Sequence, residues 1–213
     1  MRDLYPGYDV LAKRDTPSWN EKTREVIEAR LALADAAPRF FEPLEYRLLI
    51  ALCDCICPQQ QKRVAVAALV DEKMHVNRAD GFRLASMPEM RIAWRRGLAA
   101  LEEAAQHFHA RSFCDFAQPV QRDLVERMSR GALDNPGWGG MSPRDFFESR
   151  VLPDIVKSYY AHPAAWSQIG FGGPASPRGY VRMDFDQRDP WEASEAKPRH
   201  EKRASKENRR VDR

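Results

Sequence analysis

The chain has 213 residues, 43% of them hydrophobic, with 34 Lys/Arg against 31 Asp/Glu and a formal net charge of +3; that length fits one domain, or a domain with tails, and can fill a sizeable core. The charge is uneven, because Lys197 to Arg213 holds eight basic and three acidic residues, which leaves a near-neutral body poorly suited to nucleic acid. No apolar run reaches the roughly 18 residues of a membrane span, and the opening MRDLYPGYDVLAKRD lacks the apolar centre of a secretory signal, so the sequence alone predicts a cytoplasmic chain without direct membrane insertion.

The pattern is helical throughout. Ser18 with Glu21 three residues on predicts a capping box, and Val26, Ile27, Ala29, Leu31 and Leu33 follow on a charged helix ended by Pro38. Pro43 suits the first turn of a second helix, along which Leu44, Leu48, Leu49, Leu52, Cys55 and Ile56 recur at three- and four-residue spacing until Pro58. Val64 to Met74 continues with Val66, Ala67, Val70 and Met74 on one side. Ser86 and Glu89 predict a further capping box, ahead of Ile92, Trp94, Leu98, Leu101 and Ala105 and an end near Phe108. Pro119 opens a helix carrying Val120, Leu124, Val125 and Met128, with Gly131 placed to terminate it. Ser142-Pro143 caps a long segment reaching Tyr160, which Pro153 is expected to kink. Neither an alternating strand of any length nor an internal repeat is visible. The expected architecture is an all-α domain of about six helices.

Residues 166–191 break this pattern. WSQIGFGGPASPRGYVRMDFDQRDPW combines four glycines, three prolines and five aromatics. Glycine permits positive φ and close backbone approach, proline restricts φ, and the aromatics need apolar cover. A long irregular stretch of this kind is usually functional or else disordered, and the aromatic content argues against disorder. Its Arg and aromatic content suits a protein interface, while its interleaved Asp184, Asp186 and Asp189 oppose a phosphate backbone. The GFGG run has neither dinucleotide-fingerprint nor P-loop spacing and follows a helix, not a strand. The bland reading is that the segment covers its own core. The expected organisation is therefore an N-terminal extension over 1–17, a helical domain over 18–165, an ordered Gly/aromatic-rich wrap over 166–191, and a disordered basic tail over 192–213.

Chemistry-bearing residues are few. Cys53, Cys55 and Cys57 suggest a metal or redox motif, but zinc and iron–sulfur sites use longer gaps on a curling loop. On a helix, cysteines two apart point about 200° from one another, so only Cys53 and Cys57 share a face. Buried packing is the ordinary fate of such thiols. Cys114 is single and distant. His107 and His109 sit near a helix end, where an imidazole suits the C-terminal dipole; His75 is isolated, and His162-Pro163 reads as a helix stop. A serine nucleophile is unsupported because G-x-S-x-G does not occur. These residues predict no catalytic and no metal-binding set, with a stand-alone helical redox or metal-binding protein built on the Cys53/Cys55/Cys57 cluster as the alternative.

Two stretches carry a resemblance. Phe41-Glu42-Pro43-Leu44-Glu45 running into LLIALCDCICP, with Asp54 and Pro58 near the helix end, and SYYAHPAAWSQIGFGGPASPRGY further on, resemble the gluconate 2-dehydrogenase subunit 3 family. The similarity runs from about Phe40 to Trp191. It implies a small, non-catalytic subunit that binds, stabilises and helps mature or export a large FAD-dependent dehydrogenase of sugars, sugar acids or alcohols. No cofactor is then expected on this chain; FAD belongs to the large subunit, and haem c to a possible third subunit, a c-type cytochrome. Members commonly carry a twin-arginine signal, which the N-terminus here does not resemble, so the alternative location is periplasmic, after co-export with a signal-bearing partner. Partner contacts are expected at Trp166, Phe171, Gly172, Gly173, Pro174, Arg178, Tyr180 and Trp191, with aromatics and Pro as desolvated anchors, Gly for close approach and Arg for a carboxylate or ring.

Overall fold

The computed structural model describes residues 3–59, 64–174 and 192–210. Over these the chain is helical, in more and shorter pieces than about six. It divides into two units, one formed by residues 33–159 and the other by 1–32 together with 160–213.

In the unit 33–159, α2 spans Pro43–Ile56, α3 Val66–His75, α4 Met90–His109 and α5 Gln118–Ser129. (α1, Glu21–Ala32, belongs to the other unit.) Pro43 sits at the start of α2 as expected, and Glu42 and Glu45 make a reciprocal capping box there. The stripe along α2 buries Leu48, Leu49, Leu52 and Cys53 against α3, α4 and α5. The Ser86 capping box does not form: Glu89 precedes α4, and Ser86 Oγ instead donates to Asp145 Oδ2 at 3.1 Å. After α5, Gly131 takes φ +72°, the left-handed geometry of a helix stop.

The segment from Ser142 to Tyr160 is one helical run with a wide turn inside it. Ser142 accepts the Asp145 N–H and opens α6, Pro143–Phe146; a π turn covers Phe147–Val151, and α7 spans Leu152–Tyr160. The wide turn precedes Pro153, which has no N–H and crowds the carbonyl four residues back; the ladder accommodates it by changing register instead of breaking.

An edge-on aromatic stack forms the centre of this unit, with ring centroids 4.8 Å apart for Phe40–Phe41, 6.1 Å for Phe41–Trp94 and 5.5 Å for Trp94–Phe146. Gly97 makes room for it. A Cβ there would lie 2.3 Å from the Phe146 ring, so only a glycine lets that ring rest on the α4 backbone. Asp71 fixes the entry to α2 by accepting the backbone N–H groups of Arg39, Phe40 and Phe41 at 2.7, 3.1 and 2.9 Å.

The other unit is built from both ends of the chain. A 3-10 turn at Val10–Lys13 joins α1, α8 at Pro163–Ile169 and α9 at Glu201–Asn208. Asn20, not Ser18, caps α1: its Oδ1 accepts the Thr23 N–H at 2.8 Å. Val10, Trp19, Ile27 and Trp166 make the core, with Tyr8, Leu11 and Leu31 packed around it. The expectation of a disordered tail over 192–213 is corrected for its described residues. Ala196 N–H donates to Leu4 O at 2.8 Å, and Asn208 bridges Pro6 O at 3.1 Å and both backbone groups of Ser194 at 2.7 and 3.0 Å. Buried Ala193, Ala196 and Ala204 provide the contact that a charged composition conceals.

Candidate docking surface

The start of the Gly/aromatic segment is held in place by its own unit. His162 turns the chain into α8: its Nδ1 accepts the Ala164 N–H at 3.1 Å, so the residue read as a helix stop is the cap of the next helix. That nitrogen must be unprotonated. Burial first, and the nearby Arg30 guanidinium second, hold the His162 pKa below its ordinary value. Gly170 ends α8 at φ +71°, with the Tyr5 ring so close that a Cβ would meet it at 2.5 Å. Beyond it, Tyr8 Oη donates to Phe171 O at 3.1 Å and in turn accepts from Lys13 Nζ at 3.2 Å.

These contacts sort the expected interface residues. Trp166 is only 6% exposed, packs with Val10, Trp19 and Ile27, and donates its Nε1–H to Tyr160 O at 2.5 Å. Its role as a partner anchor is therefore corrected: it is a core residue of its own unit. Gly173 is also buried, at φ +83° against Val10 and Trp19, and its close approach is to its own chain. Phe171 is different. It lies edge-on to Trp166, with centroids 5.7 Å apart, and remains 36% exposed. Gly172 and Pro174 are half-buried beside it. Arg178, Tyr180 and Trp191 lie outside the described residues, as does most of the segment expected to wrap.

Cys53 and Cys55 lie on α2, and Cys57 is its C-cap. Cys53 is buried, and burial pushes its thiol well above the usual range, with the neighbouring Cys57, Asp54 and Cys55 acting in the same direction. Burial raises Cys55 to about 11, against the opposing pull of Arg122, and raises Cys57 too. Such thiols are poor nucleophiles at neutral pH. Among the described residues no group of three His, Cys, Asp or Glu side chains is placed to hold a metal ion. No helix among them is long and apolar enough to cross a membrane. His107 lies edge-on to Phe108 with ring centroids 5.3 Å apart, and the side chain of His109 lies outside the described set.

A polar cluster that no motif announced lies in the unit 33–159. Lys73 Nζ donates to Asp154 Oδ1 at 2.6 Å and to both Asp80 oxygens at 3.0 Å. Arg150 donates to Asp80 Oδ2 at 2.9 Å, Lys157 approaches Asp80 at 3.5 Å, and Trp94 Nε1 donates to Asp154 Oδ2 at 2.8 Å. Burial alone would raise the Asp80 pKa, but the Lys73 hydrogen bond and charge, with Lys157 and Arg150, bring it below the ordinary value. The cluster ties the loop after α3 to α7. Its members come from distant parts of the sequence, so nothing local predicts it.

A family model described as gluconate 2-dehydrogenase subunit 3 matches residues 43–173, from the first residue of α2 to the buried glycine beyond α8. No curated protein and no solved structure gives a significant match.

Proposed function

The chain belongs to the gluconate 2-dehydrogenase subunit 3 family, and from that premise we propose that it is a non-catalytic accessory subunit that binds and stabilises a large FAD-dependent dehydrogenase of sugars, sugar acids or alcohols. In this reading FAD sits on the large subunit, a c-type cytochrome is a possible third member, and this chain acts in the cytoplasm on the newly made partner, remaining there or leaving by co-export. The family match over most of the helical body carries the proposal. Burial raises the thiols of Cys53, Cys55 and Cys57, and the titratable cluster is engaged in ion pairs within the fold.

The contact surface proposed in the Gly/aromatic segment is now narrower, with Phe171, Gly172 and Pro174 among the described residues and Arg178, Tyr180 and Trp191 beyond them. Phe171 would contribute an aromatic anchor, pre-positioned by Trp166 beneath it and by Tyr8 on its carbonyl. The decisive experiment expresses the large flavin-containing chain of the same genome with and without this chain. Co-elution, together with a several-fold higher yield of FAD-loaded large chain on co-expression, is the expected result. A large chain that folds and loads flavin equally well alone, and never co-elutes, would overturn the proposal.

A further inference from the structure

The loop between α3 and α4 is built to hold apolar side chains in water. Phe82 is 75% exposed, and Val76 and Leu84 are each 45% exposed. A solvated connection has no use for three such residues, and an unspecified one would let them collapse onto the body. This loop is specified at several points. Asn77 takes φ 50° and Gly81 φ +83°, both in the left-handed region, and Arg78 N–H donates to Lys73 O at 3.0 Å. Asp80, two residues before Phe82, is held by Lys73, Arg150 and Lys157. A Cβ added at Gly81 would meet nothing within 4 Å, so the tip stands clear of its surroundings.

The charges beside these apolar groups are one-sided. Asp80 is already engaged, whereas the exposed Arg78 and Arg83 have neither an ion pair nor a side-chain hydrogen bond among the described residues. The cluster beneath adds three cations against two carboxylates. We infer that the loop 76–84 is a preformed docking knob, in which Phe82 enters an apolar pocket on a partner protein and Arg78 and Arg83 meet carboxylates on that pocket's rim. An aromatic anchor flanked by arginines is the composition of an interface hot spot, and a loop fixed beforehand loses little conformational entropy on docking. An anionic bilayer fits less well, because such surfaces recruit clusters of about four to eight Lys/Arg, and this loop presents only Arg78 and Arg83. The inference rests on the accessory-subunit reading and names a second contact surface for that partner.

The test uses the full chain and the co-expressed large flavin chain. Phe82→Ala and Arg78→Glu/Arg83→Glu are compared with Phe108→Ala, another exposed phenylalanine, by titration against the large chain, with the melting temperature of each free variant measured alongside. A photo-crosslinking residue is placed at position 82 in parallel. Expected are at least about tenfold weaker binding for Phe82→Ala at unchanged melting temperature, salt-sensitive weakening for the double charge reversal, near-wild-type binding for Phe108→Ala, and a crosslink to a large-chain peptide containing Asp or Glu. Wild-type chain that binds while Phe82→Ala binds equally well overturns the knob and leaves the accessory role standing. Wild-type chain that does not bind overturns both. Binding to vesicles containing phosphatidylserine that disappears in Phe82→Ala, with large-chain binding intact, overturns the protein-pocket assignment in favour of a membrane surface.

Discussion

Trp94 Nε1 donates a 2.8 Å hydrogen bond to Asp154 Oδ2, and both side chains are buried. The second Asp154 oxygen takes Lys73 Nζ at 2.6 Å, so this carboxylate has one neutral and one charged donor and no recourse to water. Removing it by Asp154→Ala leaves Lys73 short of a partner and the indole N–H with none. The expected loss is about 3–5 kcal/mol, the range for breaking a buried pair from one side. Trp94→Phe keeps a ring in the aromatic stack but deletes the donor and part of the buried ring volume, for about 1–3 kcal/mol. Urea unfolding of the two variants and their double mutant checks the ranking, and the double mutant should cost less than the sum because the residues share a bond.

The second prediction concerns a glycine that helix propensity says should be replaced. Alanine is favoured over glycine in a helix interior by up to about 1 kcal/mol. At position 97 that gain is outweighed, since the new Cβ would lie 2.3 Å from Phe146, and Trp94 and Trp138 hold that ring from its other sides. Gly97→Ala should destabilise by about 1–3 kcal/mol, the usual cost of overpacking. Combining it with Phe146→Leu should recover part of the loss in thermal unfolding.

The contrast between these sites shows what the sequence could and could not disclose. Pro43, Pro119 and Pro143 announced helix starts because a missing N–H is tolerated only in the first turn, which is a local fact. The apolar stripe of α2 was legible at Leu48, Leu49 and Leu52, where burial repeats with the helix period, but Leu44 is 48% exposed and Cys53, not Cys55, completes the buried face. The capping-box spacing points to Ser18 as the cap of α1, and the folded chain uses Asn20, two residues on, in its place. Lys73 and Asp154 are 81 residues apart, and no pattern links them. Position in a Gly-rich stretch could not tell whether Trp166 covers its own core or a partner, because both need the same apolar ring. The tail misled through composition: its charge reads as disorder, while a few alanines and the Asn208 amide secure it to the N-terminal residues.

A pH dependence follows from His162. Its Nδ1 accepts a backbone N–H, and burial with Arg30 nearby depresses its pKa in the folded state. The unfolded chain then takes up a proton first as pH falls. Its contribution to stability is fully present above the unfolded value of about 6.5 and is lost as pH drops from there toward the folded value. His162→Asn supplies an acceptor that does not titrate in this range and should flatten that part of the stability curve. His162→Ala removes the cap and should cost about 1 kcal/mol at neutral pH. Chemical denaturation at a series of pH values above and below 6.5 separates the three proteins.

Trp166 and Phe171 touch edge-on yet should respond to mutation in opposite ways. Trp166 is enclosed by Val10, Trp19 and Ile27, with its indole N–H on a backbone carbonyl. Trp166→Ala opens a cavity and should cost about 3–5 kcal/mol in the free chain, and whatever binding it loses should be explained by that unfolding. Phe171 has part of its ring in solvent, while its backbone carbonyl, not its side chain, is held by Tyr8. Phe171→Ala should therefore change the melting temperature little and weaken capture of the large chain at a fixed concentration of folded protein. Measuring both quantities for both variants decides whether this end of the segment faces a partner: a Phe171→Ala protein that is normally stable and binds normally would confine the whole described stretch, from Trp166 to Pro174, to covering its own core.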